Sequence, residues 1–356
     1  MEFSTTQEIV AQARKSLGQG PWDYLVGGSE SETTMRRNRL AFDRLAFRPR
    51  VLVDVSKIDT SATFLGQKLR IPVMLAPIGS LQVFHPEGGA ASAKAAGEFG
   101  TIHVVSSVTQ PALEETAKAG SGPKIFQIYV RGDDAWLSDL MSRAKGAGYM
   151  ALCFTLDLAV DSRRERPMIT GWTRPTRQVQ WDPVYQASLT WEKMDRIKEK
   201  AGTTLILKGI ATAEDAELAV EHGVDVIWVS NHGGRQLDHG LGSMEVLPEI
   251  VDAVQGRAKI VVDGAVQRGT DVVKALALGA DVVAIGRMQA WGLAAAGSEG
   301  VFRVLEILEA EMVSAMGLLG VTSLDQLGPK YIRAAEAVSL PHEMSTWPNL
   351  PGERLV

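Results

Sequence analysis

Disulfides are excluded at the outset, because the 356 residues contain a single cysteine, Cys153. It lies in an apolar run at 149–156 and reads as a small buried hydrophobe, not a nucleophile. One thiol and no bridge fit a reducing compartment, so a cytoplasmic protein is expected. No apolar run approaches the roughly 18 residues of a spanning helix. Met1-Glu2-Phe3-Ser4 opens no basic, apolar leader. Positive charge is also scarce: 37 Lys and Arg against 42 Asp and Glu leave a formal charge of -5, which gives no reason to expect nucleic acid or a membrane as partner. The histidines (His85, His103, His222, His232, His239 and His342) stand at no metal-motif distance from cysteine or acidic partners, so no metal is expected. G-x-G-x-x-G is missing. The first strand candidate ends instead in Ala76-Pro77-Ile78-Gly79-Ser80, which argues against a dinucleotide-binding fold.

What the chain does contain is a repeated alternation. Apolar runs at 73–76, 102–105, 125–130, 149–156, 205–208, 226–229, 260–263 and 282–285 predict strands. Helix-like segments near 87–99, 111–119, 133–146, 190–200, 212–222, 243–254, 269–278 and 298–316 separate or follow them. The runs are continuously apolar, as in parallel strands buried on both faces. Eight strand–helix units over this length predict an α/β fold, a (β/α)8 TIM barrel over 71–320. Ahead of it, residues 1–70 predict an N-terminal helical extension: a helix at 4–17, a short piece from Pro21, a third helix through about Leu40 capped by Ser29, Ser31 or Thr33, and a small hairpin within 45–70. Residues 321–356 form a tail of the same single domain. The longest stretch without periodicity runs from Arg163 to Thr190, with Trp172 and Trp181 inside it and Trp191 just after; it predicts a binding loop or lid.

Polar residues gather at the strand ends: Pro77 and Gly79, Ser106 and Ser107, Gln127 and Tyr129, Thr155 and Asp157, Lys208, Ser230 and His232, Asp263 and Gly264, Gly286 and Arg287. A closed barrel brings such ends into one ring, where these folds carry chemistry. Gln127, Lys208 and His232 are the informative members, since they are poor helix caps. The densest stretch is Ser230-Asn231-His232-Gly233-Gly234-Arg235-Gln236-Leu237-Asp238. It offers a proton acceptor, an anion-holding guanidinium and two glycines that let the backbone approach something bulky. By pattern alone, an ordinary βα loop with a helix cap accounts for it equally well. Asp263-Gly264-Ala265 and Gly286-Arg287, after strands seven and eight, suggest a phosphate grip. Tyr24 precedes a glycine pair and by local pattern is a packing aromatic. The cluster Arg163-Arg164-Glu165-Arg166 is either a solvated charge run or a meeting place for a carboxylate.

These motifs, with His85-Pro86-Glu87-Gly88, Gln127-Ile128-Tyr129, Thr155-Leu156-Asp157 and Leu207-Lys208-Gly209, resemble the FMN-dependent α-hydroxy-acid oxidase and dehydrogenase family from about residue 8 to 330. The resemblance implies non-covalent FMN, a small-molecule 2-hydroxy acid as substrate, oxygen or a quinone-like acceptor, and a homotetramer. It implies His232 as the active-site base, with Asp157 holding its orientation and favouring the imidazolium. Arg164 and Arg235 would grip the substrate carboxylate, and Tyr24 and Tyr129 its carboxylate or hydroxyl oxygens. Lys208 would sit by flavin N1 and O2. Gln127, Thr155 and Ser106 would bond the isoalloxazine, with Pro77, Ile78 and Gly79 beside it. Ser230 would meet the ribityl chain, and Asp263, Gly264, Gln267, Gly286 and Arg287 the ribityl and phosphate end. Both proton abstraction and hydride loss at the α-carbon are compatible with a base at His232.

Three departures from the family pattern set expectations of their own. Gln267 stands where relatives usually have arginine, so one phosphate contact is either lost or supplied by Arg268. Val108 replaces a frequent bulky aromatic, and Gly79 is smaller than alanine; together they predict room for an aromatic or medium-chain group, unless Met168 and Trp172 refill it. A glycine at that place also tends to accompany poorer oxygen use in the family, so a dehydrogenase with another acceptor stands beside the oxidase reading. A flavin-binding sensor or assembly protein without turnover is the alternative of another class. The loop after the fourth strand lacks a membrane-anchoring stretch, and no haem-linked arrangement is expected.

Overall fold

The computed structural model describes residues 3–175, 182–338 and 346–347. Three helices come first: α1 (Thr6–Ser16), α2 (Gln19–Val26) and α3 (Thr33–Asp43). The start of α1 is a capping box, in which Thr5 accepts the Glu8 N–H and Glu8 reaches back to the Thr5 N–H at 2.9 Å. Next come β1 (Leu45–Phe47) and an antiparallel hairpin of β2 (Ala62–Phe64) and β3 (Gln67–Leu69).

The barrel strands are β4 (Val73–Leu75), β5 (His103–Ser106), β6 (Lys124–Ile128), β7 (Ala151–Thr155), β8 (Thr204–Ile210), β9 (Val226–Val229), β10 (Lys259–Val262) and β11 (Val282–Ile285). Each pairs in parallel with the next, and β11 pairs with β4, closing the ring. All eight expected strands are present, with ends within a residue or two of the apolar runs. Around them lie α4 (Gly88–Phe99), α5 (Leu113–Lys118), α6 (Asp134–Gly146), α7 (Glu165–Ile169), α8 (Val184–Ala187), α9 (Trp191–Ala201), α10 (Ala213–Glu221), α11 (Ser243–Val254), α12 (Gly269–Ala277) and α13 (Arg287–Leu319).

Strand side chains alternate between two cores. Met74, Val104, Ile125, Cys153, Ile206, Trp228, Val261 and Ala284 fill the barrel's interior. Their neighbours Leu75, Val105, Phe126, Phe154, Leu207, Ile227, Val262 and Ile285 pack outward against the helices. Burial on both faces is why these strands carry no polar alternation. Cys153 is fully buried in the inner core, and desolvation pushes its thiol pKa up, as expected of a small hydrophobe.

Several details differ from the sequence expectations. The cap of α3 is neither Ser29, Ser31 nor Thr33. Glu32 takes the cap position in a left-handed conformation, and the Asp238 carboxylate accepts the Thr34 N–H at 2.8 Å from across the fold. A cap supplied by a residue so distant leaves no local signature. Leu45–Phe47 pairs antiparallel with β12 (Ile332–Ala334), a long-range ladder that the irregular 45–70 reading missed. The Arg163–Thr190 stretch is not structureless, since it contains α7 and α8; Trp181 lies outside the described residues. Helix α13 begins well before residue 298 and is broken at Ala296 and Gly297, where φ is -158° and +58°. Gly297 is required there, because a Cβ would come within 3.0 Å of the His85 ring.

Candidate active site

Two residues beyond the inner-core layer, the same period-two rule turns one more side chain per strand into the barrel. Val104 is followed by Ser106, Ile125 by Gln127, Cys153 by Thr155, Ile206 by Lys208, Trp228 by Ser230 and Val261 by Asp263. A polar ring thus lies directly on an apolar plug. One side of it is internally satisfied. Lys208 Nζ donates to Ser230 Oγ at 2.9 Å, Ser230 Oγ donates to Asp263 Oδ1 at 2.7 Å, and Trp228 Nε1 donates to Asp263 Oδ2 at 3.0 Å. Burial works against the Lys208 ammonium, but Asp263 and then Asp157 outweigh it and raise its pKa, so it stays charged. The other side is not satisfied. Both amide atoms of Gln127 and the Thr155 hydroxyl are buried without a hydrogen-bond partner. Each such orphan costs about 1–3 kcal/mol, so the floor is built to complement a polar ligand.

Above this floor the loop after β9 turns through three left-handed residues, His232 (φ +60°), Gly233 (+65°) and Gly234 (+74°). The glycine pair does let bulky groups approach, but they belong to the chain itself. A Cβ on Gly234 would lie 2.5 Å from the Met35 backbone, and one on Gly233 would lie 3.0 Å from the Arg287 guanidinium. Helix α3 is thereby drawn against the barrel. Reciprocal 2.8 Å amide bonds between Asn38 and Asn231 hold it, as does the buried bidentate pair of Arg39 with Asp271 at 2.8 Å. The extension delivers Tyr24 to the cavity, under the Arg235 guanidinium at 5.0 Å.

His232 Nδ1 is 2.8 Å from Asp157 Oδ1, and its Nε2 is 3.4 Å from the Tyr129 hydroxyl. Desolvation lowers the His232 pKa and Asp157 opposes the shift without reversing it. The resting ring is therefore neutral near pH 7, with Nε2 facing the cavity. Asp157 favours the imidazolium locally, but burial is the larger effect. Burial also raises the Tyr129 phenol to about 12. For Tyr24 burial acts in the same direction, but Arg235, Arg164 and Arg174 outweigh it and lower the pKa; this tyrosine is more than the packing aromatic its local pattern suggests. Burial and mutual repulsion depress the arginines, Arg164 to about 9 beside Arg235, and Arg235 to about 10 beside Arg287. Crowded, partly buried guanidiniums of this kind are stabilised by a bound anion.

Asp263, Gly264, Ala265, Gln267, Gly286 and Arg287 also line the cavity; Arg287 opens α13 and lies beside Arg235, since both guanidiniums donate to Gly27 O. Arg287 donates to Gly233 O and Gly27 O, both at 3.0 Å. Arg268 does not replace an arginine at 267, because it pairs with Glu311 at 2.8 Å. Gln267 lines the cavity and accepts from Thr346 Oγ1 at 2.8 Å. Pro77, Ile78, Gly79 and Val108 line the wall. The space freed at Gly79 is already used: a Cβ there would lie 2.7 Å from Val108 Cγ2. Met168 and Trp172 line a neighbouring cavity and not this one. Arg166 is structural, forked onto Glu32 at 2.7 and 2.6 Å, whereas Arg163 is exposed. Sequence reasoning missed Arg131 and Arg174, which line the cavity without belonging to any motif; the only signal was the basic character of the irregular stretch that holds Arg174. Among the described residues no group of histidine, cysteine and acidic side chains could hold a metal, and no helix is long and apolar enough to cross a membrane.

The FMN-dependent dehydrogenase family pattern matches residues 13–334. The chain belongs to this family. It is 39% identical to an L-lactate oxidase from a Nostoc species over 347 residues, covering 90% of this chain and 95% of that one. The structure of a mandelate oxidase with (S)-2-phenylpropionate superposes with a TM-score of 0.87 at 36% identity, covering 95% of this chain and all of the other. A mutant of an active chimera of (S)-mandelate dehydrogenase also gives 0.87, at 31% identity, with 93% and 99% covered. The cofactor is accordingly FMN, and the reaction is oxidation of a 2-hydroxy acid to the 2-oxo acid by an oxidase or a dehydrogenase. The unpartnered Gln127 and Thr155 atoms on the floor, the buried Lys208 and the Arg287 guanidinium fit the donor and charge needs of a flavin mononucleotide, which these residues would hold.

Proposed function

We propose that the protein oxidises a 2-hydroxy acid with an aromatic or medium-chain side chain, with oxygen as electron acceptor, as a cytoplasmic homotetramer. One observation supports the chemistry above others. His232 has one ring nitrogen tied to Asp157 and the other directed at the Tyr129 hydroxyl, inside a cavity lined by Arg164 and Arg235. Arg164, Arg235 and Tyr24 hold the substrate carboxylate, which fixes the α-carbon; such orientation contributes more to rate than to affinity. Tyr129 bonds the hydroxyl, and neutral His232 accepts its proton at Nε2. Asp157 is a positioning residue that stabilises the imidazolium once the proton has moved. FMN, when bound, takes up the electron pair lost at the α-carbon. Lys208 places a fixed positive charge on the barrel floor, beside Gln127, Thr155 and Ser106, where Pro77, Ile78 and Gly79 form the wall. Ser230, Asp263, Gly264, Gln267, Gly286 and Arg287 would hold the ribityl and phosphate end.

The substrate size rests on Val108, which fills the space beside Gly79 but is itself smaller than an aromatic, and Phe84 and Leu158 complete an apolar lining. Filling such a wall with an apolar side chain contributes roughly 1.5–3 kcal/mol. Gly79 also favours the second reading, a dehydrogenase using a quinone or dye. The test is anaerobic mixing of holoenzyme with glycolate, lactate, 2-hydroxyoctanoate and mandelate, then reoxidation by oxygen or a dye. Bleaching of the flavin by mandelate ahead of glycolate is expected. Absence of bleaching by any of them leaves the flavin-binding sensor, and a dye rate far above the oxygen rate turns the oxidase into a dehydrogenase. Light scattering at micromolar protein tests the tetramer; a monomer mass excludes it.

A further inference from the structure

The loop after β10 lines the cavity, and two of its residues are left-handed in succession, Gly264 at φ +108° and Ala265 at φ +60°. Glycine adopts such a conformation freely. The Cβ of alanine crowds its own backbone there, so an alanine stays left-handed only when something else holds it. Gly264 is pressed against α3, since a Cβ on it would lie 3.1 Å from Asn38 Oδ1. Next to Asn38, the Arg39 guanidinium donates to Ala265 O at 2.9 Å. It also forks onto the Asp271 carboxylate of α12, both bonds at 2.8 Å, and its Nε donates to Asp43 at 3.0 Å. Asp271 Oδ2 in turn accepts the Gln267 N–H at 3.0 Å and the Arg268 N–H at 3.1 Å. The pair therefore grips the backbone of residues 265–268 at three points. Both side chains are buried, and neither lines the cavity. Docking of α3 alone does not account for these backbone bonds, because Asn38 to Asn231 and Asp238 to the Thr34 N–H already dock it.

We propose that Arg39 and Asp271 are positioning residues for the cofactor: from behind the cavity wall they hold Ala265 left-handed, and so keep the loop after β10 in the form that retains the phosphate end of FMN. The inference rests on the placing of that end at this loop, proposed above, and is independent of which hydroxy acid is oxidised. Arg39 acts across 226 positions of sequence, which makes the N-terminal extension part of flavin retention. Without the guanidinium, alanine's own preference returns residue 265 to negative φ and the loop loses its shape.

The experiment follows release of FMN from diluted holoenzyme by the recovery of flavin fluorescence. Arg39→Lys keeps the charge but not the fork, and release becomes about tenfold faster, the worth of one charge-assisted bond. Asp271→Asn loosens the clamp from the other side and acts alike, so it carries the test should Arg39→Lys fold poorly. The deciding readout is rescue. Ala265→Gly removes the alanine's preference for negative φ. It changes release by less than about twofold in the otherwise unaltered chain, and brings either clamp variant back to within about threefold of that chain. A pair that merely stabilised the fold would show no rescue, because added glycine loosens a chain. Release from the double variants as fast as from Arg39→Lys or Asp271→Asn alone overturns the proposal. Gly264→Ala separates the proposal from the reading beneath it, since the new Cβ disturbs the loop directly. If Gly264→Ala speeds release and neither clamp variant does, the clamp falls and the loop's place at the phosphate stands. If none of the three changes release, both fall.

Discussion

The barrel floor and the cavity mouth are built by different means. On the floor, Ser106, Gln127, Thr155 and Lys208 sit on strands and Ser230 and Asp263 one residue past them, each two residues past an inner-core side chain. Their direction follows from strand alternation and their height from the register of a closed barrel. At the mouth, Tyr24, Val108, Asp157, Arg164, Arg174 and His232 come from an added helix and from loops. Their positions depend on contacts between segments distant in sequence, such as Arg235 N–H to Gly27 O at 2.6 Å and Gln236 to the Asp157 carbonyl at 2.9 Å. The fold therefore sets where the floor side chains stand, while their residue types are this chain's own. The mouth is where this chain sets its chemistry and choice of substrate. Substitutions in the two regions should differ in kind: the floor should affect flavin properties for every substrate alike, the mouth should affect catalysis and selectivity with flavin retained.

The largest effect is expected at the mouth. His232→Ala should retain FMN and lose about 10²–10⁴-fold in kcat, the usual worth of a general base. Near-normal turnover of that variant would remove His232 from the role of base. The pH profile sharpens the point. Burial lowers the His232 pKa, so the neutral, proton-accepting form persists below the ordinary histidine value of about 6.5. The acid limb of kcat/KM attributable to this base should therefore lie below that pH. Asp157 opposes the shift, so Asp157→Asn should move the limb lower still while reducing kcat, because the imidazolium loses its partner. An acid limb that rises in Asp157→Asn would contradict the geometry.

Lys208→Met probes the floor. It removes the one ammonium among the inward-facing groups and leaves the buried Asp263 without its 3.6 Å ion pair. Loss of a fixed electrostatic contact in a water-poor site costs on the order of 10²–10³ in rate. The flavin's reduction potential should fall, and kcat should drop by a similar factor for mandelate and glycolate. A loss confined to one substrate would place Lys208 with the mouth residues.

Val108→Trp returns to the mouth. The wall residue already touches the space of Gly79, so a bulky ring has only the substrate side to occupy. The mandelate-to-glycolate ratio of kcat/KM should fall about ten- to hundredfold, matching roughly 1.5–3 kcal/mol of side-chain burial. An unchanged ratio would mean that Val108 does not face the substrate.

The same division explains what could be read in advance. The eight strands and their polar ends are local patterns, a continuous apolar run followed by a turn, and they are legible because the barrel imposes one period on all of them. Lys208 and Gln127 stood out because such residues rarely terminate strands as caps. The cap of α3 by Asp238, the pairing of Leu45–Phe47 with Ile332–Ala334 and the placement of half-exposed Arg174 beside Tyr24 are agreements between distant segments, and nothing near any of these residues records them. The glycine pair after His232 shows the limit in another way. Its residue type correctly signals close approach, but the approaching group is Met35 of α3, which only the fold reveals.

The smallest effect is expected at the phosphate end, where floor and mouth meet. Gln267 lines the cavity beside Arg287, and Arg268 is committed to Glu311, so position 267 contributes no charge there. Gln267→Arg would place a second guanidinium near the phosphate while giving up the bond from Thr346. A partly screened pair contributes roughly 1 kcal/mol, so FMN should bind on the order of threefold to tenfold more tightly. Quenching of flavin fluorescence on titrating apoprotein with FMN measures this without reference to turnover. Arg287→Ala in parallel should weaken binding, because it removes the guanidinium and frees the Gly233 carbonyl, while Gly27 O keeps its bond from Arg235. If Gln267→Arg leaves the affinity unchanged while Arg287→Ala reduces it, the phosphate lies against the start of α13 and not against the loop after β10. The grip would then come from the helix N-terminus and one arginine alone.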